Sequence, residues 1–207
     1  MTNAPLRVTL LLTALAVLAG CGRAPVATPV PPTALPEGAV TLEQTQVDLD
    51  LDGSAERVTV FQHGERVGVV VEPSGGQLWG AGLPPGVAFV GLKTQDLTAD
   101  RAPELLIELQ GPGEDERSLC LIRWAGGQGQ VLSPQGGPLE GKTCFVSRHY
   151  PPLVDDLNTD SAWEVAVSVD RGDPHFLFTV VYEWDGQVYR ESDLYLVPPR
   201  VMPTRSP

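Results

Sequence analysis

Acidic side chains recur at a fixed spacing in three nine-residue segments of this chain. The first segment, residues 48–56, reads Asp-Leu-Asp-Leu-Asp-Gly-Ser-Ala-Glu. Calcium takes six to eight oxygen ligands, and acidic residues at alternate places supply them where the chain coils around the ion. Glycine at the sixth place permits the sharp turn of such a loop. The segment therefore predicts a calcium site with the ligands Asp48, Asp50, Asp52, Ser54 (through its backbone carbonyl) and Glu56.

Residues 96–104 and 156–164 repeat the pattern less completely, and we call the three segments the first, second and third Asp loops. Both begin with Asp-Leu and carry Asp at the fifth place and Glu at the ninth. In the second loop Thr98 replaces an acid and Arg101 replaces glycine, so we expect an internal cation from Arg101 there instead of a metal ion. The third loop offers a weaker set of metal ligands, namely Asp156, Asn158, Asp160 and Glu164.

A purely structural role for these loops is the alternative interpretation. Asp and Asn side chains accept hydrogen bonds from nearby backbone amides and thereby fix a turn without any ion. The sequence favours this role in the second loop and leaves it open in the first and third.

The segments around each loop predict β-structure. Apolar residues alternate with polar ones after every loop, at 57–61, 105–109 and 165–169. In the first of these segments the valines stand one place later in the repeat than the alternating apolar residues of the other two. A second apolar run follows at 67–71, 119–124 and 176–184, and each run ends in a glycine turn typical of hairpins. Further strands are predicted before two loops, at 40–47 and 87–93, and no segment after residue 20 shows a helical pattern.

These patterns predict an all-β domain over residues 39–196, made of three four-stranded antiparallel units at about 39–82, 86–135 and 140–192. An Asp-rich loop before an apolar strand resembles the FG-GAP or VCBS-type repeat of integrin-like β-propellers. The resemblance implies blade-like units, although the Phe-Gly and Gly-Ala-Pro signatures are absent. Propellers close with four to eight blades, so a partial or small propeller, an open stack and a sandwich all stay open.

The N-terminal segment has the features of an export signal. Residues 1–7 carry one positive charge, residues 8–20 are apolar, and small residues precede Cys21. The apolar run is too short to cross a bilayer as a helix. Leu18-Ala19-Gly20-Cys21 resembles the lipobox of bacterial lipoproteins. The resemblance implies removal of residues 1–20, lipidation of Cys21, and a protein anchored to a bacterial membrane outside the cytoplasm, with a proline-rich linker at 21–38 and a tail at 197–207.

The two cysteines that remain, Cys120 and Cys144, favour a disulfide, because exported proteins fold in an oxidising compartment. Two reduced, buried cysteines are the alternative.

Charge and motifs narrow the function only in part. A net charge of -12 disfavours nucleic acid as a partner. The chain has no nucleophile elbow, phosphate loop or zinc-protease motif, so we expect a binding or scaffolding module at the cell envelope rather than an enzyme. Its partners would be the membrane, through the lipid, and an envelope protein or glycan. An envelope hydrolase or accessory subunit, and a purely structural lipoprotein, are the alternatives.

Overall fold

The computed structural model describes residues 35–170 and 177–192, which form fourteen β-strands and one 3-10 turn. Cys21, the signal segment, residues 21–34 of the linker and the tail lie outside the described residues, as do residues 171–176. The predicted all-β fold is confirmed, since the described part contains no α-helix. None of its elements is a helix of sufficient length and apolar character to cross a membrane.

Three sheets follow one another along the chain. The first has the simple order β1-β2-β3-β4, and all its strand pairs are antiparallel. Its strands are β1 (Val40–Val47), β2 (Glu56–His63), β3 (Arg66–Glu72) and β4 (Trp79–Gly82). The first Asp loop connects β1 to β2.

The second and third sheets have five strands each, and each holds its Asp loop between two antiparallel neighbours. The second sheet runs β10-β7-β6-β5, with β8 also paired to β7, and the third runs β11-β12-β13-β14-β9. The strands are β5 (Ala88–Gln95), β6 (Glu104–Gln110), β7 (Glu116–Ala125), β8 (Gln128–Leu132), β9 (Pro134–Gln135), β10 (Phe145–Arg148), β11 (Leu153–Asp155), β12 (Glu164–Asp170), β13 (Leu177–Trp184) and β14 (Tyr189–Glu191). A 3-10 turn, Gly137–Leu139, lies between β9 and β10.

The fifth strands arise because two neighbouring units exchange strands, which the sequence did not predict. Strand β9 pairs in parallel with β14 of the third sheet, and β10 pairs with β7 of the second. The second exchange is accompanied by the disulfide between Cys120 and Cys144, whose Cα atoms lie 4.5 Å apart. Cys120 sits in β7 where its free edge passes from β10 to β8, so the bond holds the chain before β10 against the second sheet. The predicted disulfide is thus confirmed.

The apolar faces show that the second sheet is packed between the other two. One core joins Val58 and Val60 of β2 to Leu105 and Ile107 of β6, and a separate core joins Leu106 of β6 to valines of β12. Strand β6 of the middle sheet therefore has buried apolar residues on both of its faces. This arrangement explains why the valines of β2 and β12 fall at alternate places in the repeat. The first and third sheets cover opposite faces of the middle sheet, so each needs apolar residues only on the face that it turns toward β6.

The outward faces of the two end sheets are more polar than the covered ones. Strand β6 packs Leu105, Ile107 and Leu109 against the first sheet. The equivalent positions of β2 face outward and hold Arg57, Thr59 and Phe61. Arg57 is ion-paired with Glu72 across the β2–β3 pair. Polar outer faces on terminal units are typical of stacked repeats that do not continue.

Tryptophans pack between sheets and not on an open surface. Trp79 of β4 and Trp124 of β7 meet edge to face, with their ring centroids 6.3 Å apart. The ring of Trp79 also lies on Gly129 of β8, where a Cβ atom would approach it to 2.6 Å. Glycine at 129 is therefore required by the contact between the first and second sheets.

Candidate metal centre

The three Asp loops share a set of hydrogen bonds from backbone N–H groups to aspartate side chains. In each loop the aspartate at the first place accepts from the N–H groups of the fifth or sixth residue, or both. The donors are Asp52 (3.1 Å) and Gly53 (3.0 Å) for Asp48, Arg101 (2.9 Å) for Asp96, and Asp160 (3.1 Å) and Ser161 (3.2 Å) for Asp156. The aspartate at the fifth place accepts from the N–H of the seventh residue in every loop. The turn-fixing role left open above is therefore present in all three loops.

Backbone torsion angles also repeat between the loops. The fourth place has positive φ in every loop, at Leu51, Ala99 and Thr159. The sixth place does too, with φ of 89° at Gly53, 78° at Arg101 and 79° at Ser161. Only the first loop uses glycine, the residue that adopts this conformation without strain. The repeat recognised in the sequence thus corresponds to one local structure built three times.

The glutamate at the ninth place links the end of each loop to its beginning through a backbone hydrogen bond. Glu56, Glu104 and Glu164 are buried, and each accepts a hydrogen bond from the backbone N–H of the leucine seven residues earlier, at 2.7, 2.7 and 2.6 Å. Burial raises the pKa of all three carboxyl groups above the usual glutamate value, and the leucine N–H opposes the rise. These glutamates are thus structural acceptors in every loop, including the one with no predicted ion.

Carboxylates converge in the first loop. Oxygen atoms of Asp48, Asp50 and Glu56 lie within 4.8 Å of one another, and the described residues contain no other such group of acidic, His or Cys side chains. Two oxygens bound to one calcium are at most about 5 Å apart, so these three fit one ion. Asp52 is not part of the group, because its carboxylate turns to the N–H of Ser54 at 2.7 Å. Three of the five predicted ligands are thus brought together.

The second loop is neutralised by a side chain that the sequence analysis did not identify. Arg123 of β7, and not Arg101, is ion-paired with Asp100, and its Nε lies 3.9 Å from Oε1 of the buried Glu104. Its guanidinium also lies over the ring of Trp184 in the third sheet, 5.6 Å from the centroid. Arg101 uses its backbone N–H to bind Asp96. The prediction of an internal cation was right for the loop and wrong for the residue.

The residue at the position equivalent to Arg123 differs between the three units. The pairing of β6 with β7 places it across from Glu104, and the equivalent positions across from Glu56 and Glu164 hold Pro73 and Glu183. Glu183 adds to the rise in the pKa of Glu164. The first and third loops therefore have no counterpart of this arginine, and the third has one more carboxylate nearby.

Comparisons with known proteins assign the chain to no family. No protein-family model, curated protein or solved structure matches it.

Proposed function

We propose that this protein is an exported lipoprotein that serves as a binding or scaffolding module at the cell envelope. The observation that carries the proposal is the sequence Leu18-Ala19-Gly20-Cys21 after a short apolar segment. Lipidation of Cys21 attaches the chain to a bacterial membrane facing outside the cytoplasm, and the proline-rich linker connects the lipid to the folded part. The partner is an envelope protein or a glycan.

The direction of β1 supports an outward presentation of the first Asp loop. The linker joins β1 at Val40, and the first Asp loop begins after Val47 at the other end of the strand. Eight residues of β-strand span about 26 Å. The first Asp loop thus lies at the opposite end of β1 from the point where the linker enters the strand.

We further propose that the three sheets are propeller-like repeats of the FG-GAP or VCBS type. The identical loop hydrogen bonds, the repeated positive φ values and the packing of consecutive sheets support this relationship. Three such sheets form a partial propeller with polar outer faces.

Calcium is the proposed ligand of the first Asp loop, with Asp48, Asp50 and Glu56 as its carboxylate ligands. Support comes from their mutual distances and from Pro73, which stands across from Glu56 where the second sheet has Arg123 across from Glu104. An ion held only by the folded state raises stability by mass action, by about 1.4 kcal/mol at ten times its dissociation constant. The proposed role of the ion is stabilisation of the domain.

Cell fractionation tests the anchor. Replacement Cys21→Ala should move the protein from the membrane fraction to the soluble exported fraction, because one thiol carries the whole lipid attachment. The double variant Cys120→Ala/Cys144→Ala is the matched control and should stay with the membrane. A Cys21→Ala protein that still sediments with membranes would show that the anchor is wrong.

Thermal unfolding in calcium or a chelator tests the metal site. Wild type should unfold at a higher temperature in millimolar calcium, and Asp50→Asn should abolish the increase, since it removes a ligand charge but keeps an oxygen that accepts from Asp52. Asp115→Asn, in the β6–β7 hairpin, is the control and should keep the response. An unfolding temperature that is the same in calcium and chelator would contradict the site.

Site-specific photocrosslinking in intact cells tests the binding role. A crosslinker at Asp52 in the first loop should capture an envelope component, whereas one at Glu65, in the β2–β3 turn at the tether end, should not. Identical products from both positions, or none, would contradict a partner at the Asp loops.

A further inference from the structure

A groove of about 320 Å³ opens between the second and third sheets. Its apolar wall includes Val90 of β5, Leu106 of β6, Leu119 of β7 and, from the segment before β12, Pro151 and Val154. Val90 is 56% exposed although it is a large aliphatic residue. This is a concave apolar surface of the size that small-molecule sites occupy.

The groove exists because the first strand of the third sheet is cut short. In the first two sheets the strand before the Asp loop has eight residues, whereas β11 has only three. Pro151 and Pro152 lie directly before β11, and proline cannot donate to a ladder. Before them, His149 has φ of 66°, and it is the only non-glycine residue with positive φ outside the Asp loops in the part of the chain described. Ser147 of β10 accepts from the N–H of Ser168 in β12, and Leu153 of β11 pairs with Ala166. Residues 149–152 between them form no ladder with β12, and a face of β5 and β6 is left open there.

Strand register shows which side chains face the opening. Gly91 pairs with Glu108, and Lys93 pairs with Leu106, so these four residues share one face of the second sheet. A Cβ atom at Gly91 would have no neighbour within 4 Å. Any larger residue at 91 would consequently extend into the groove without a clash.

The groove has an excess positive charge in an acidic protein. Lys93 and Glu108 neutralise each other through a contact of 2.6 Å, which leaves Arg117 as the unbalanced charge of the lining. The Nη1 group of Arg117 donates to the backbone carbonyls of Glu114 and Glu116, at 3.0 and 3.2 Å, so the side chain is held in place. Its Nε and Nη2 groups donate to no acceptor among the described residues. An oriented guanidinium with two unused donor groups suits a carboxylate.

We propose that this groove binds a small linear monocarboxylate, with the carboxylate on Arg117 and the apolar chain against Val90, Leu106 and Pro151. The volume of about 320 Å³ lies at the lower end of the range for small-molecule sites, so the ligand that fits is small. The proposal goes beyond the binding role proposed above, whose partner is an envelope protein or a glycan at the Asp loops. Its test is independent of membrane attachment and of the calcium response, so those proposals can fail or hold separately.

Calorimetric titration with decanoate and with decanol tests the ligand class. The protein is the chain from residue 21 onward with Cys21→Ala, so that no attached acyl chain competes. Decanoate should bind at least roughly 10-fold more tightly than decanol, because a hydrogen bond to a charged group contributes about 1.5–3 kcal/mol. Arg117→Gln should remove this preference. Arg57→Gln, which changes an exposed arginine of the first sheet, should leave it intact.

A steric variant tests the location of the site. Gly91→Val should abolish binding of both ligands, whereas Gly82→Val, an equally open glycine in β4, should not affect it. Amide NMR spectra of both variants report whether the fold is retained. The proposal is overturned if decanoate does not bind, if decanol binds as tightly, or if Gly91→Val binds like wild type.

Discussion

Glu104 accepts a hydrogen bond from the backbone N–H of Leu97 at 2.7 Å, and both residues are fully buried. The same contact closes the other two Asp loops. A buried N–H without a partner is costly, so this acceptor fixes the point at which each loop enters its sheet.

Removal of the Glu104 acceptor should destabilise the protein. Glu104→Ala leaves the N–H of Leu97 unpaired, whereas Glu104→Gln keeps an oxygen in place, so the alanine variant should unfold more easily by about 1–3 kcal/mol. Urea unfolding measures the difference. Glu108→Ala, four residues along the same strand and partly exposed, is the control and should differ little from wild type. Equal stability of the two Glu104 variants would contradict this role.

The raised pKa of Glu104 predicts a pH dependence of stability. Burial raises this pKa above its usual value of 4.5, so the folded state holds the proton at higher pH than the unfolded chain does. Between the two values the folded state binds more protons, and the free energy of unfolding must fall as pH rises. Unfolding curves of wild type and Glu104→Gln from pH 4 upward should therefore show wild type losing stability relative to the variant. The opposite slope would show that the carboxylate is better stabilised folded than unfolded.

The sixth place of the Asp loops offers a reciprocal test of backbone strain. Ser161→Gly should stabilise the protein by up to about 1 kcal/mol. Ser161 has a positive φ, as Gly53 does, and its Cβ atom makes this conformation strained. Gly53→Ser should cost a similar amount. Thermal unfolding in a chelator, which excludes any effect of metal, measures both. Changes of the same sign in the two variants would be inconsistent with equivalent loops.

Close packing of Trp79 on Gly129 predicts a large effect from one methyl group. Gly129→Ala should lower the free energy of unfolding by about 1–3 kcal/mol, because the added carbon overlaps the indole ring. Gly82→Ala adds the same carbon in open space and should be neutral or slightly stabilising. If both variants are neutral, the first and second sheets are less tightly packed than described.

The disulfide predicts sensitivity to reduction. Cys120 and Cys144 are 24 residues apart in sequence, and a loop of this size gives about 3 kcal/mol in the chain-entropy model. Unfolding with and without reductant should show that loss, and Cys120→Ala/Cys144→Ala should be insensitive to reductant. Thiol titration of the unreduced, denatured Cys21→Ala chain should find no free thiol. A count of two free thiols would disprove the bond.

Local patterns predicted the strands that follow each loop, because alternation of apolar residues, as in 165–169, depends only on which face of a strand is buried. They also predicted the three equivalent loops. The exchange of β9 and β10 between sheets was missed, since it depends on where Cys144 meets Cys120 in space. Arg123 was missed for a related reason: it lies nineteen residues after Glu104, and only the register of β6 with β7 brings them together.

The middle sheet differs from its neighbours in having two apolar faces, and this limits how such a chain can change in length. A gene duplication of the central unit would insert a sheet that finds an apolar surface on each side. The same duplication at either end would leave Arg57 and Thr59, or Ser168 and Asp170, inside a new core. Longer relatives of this protein should therefore have grown from the centre, with their first and last repeats unchanged.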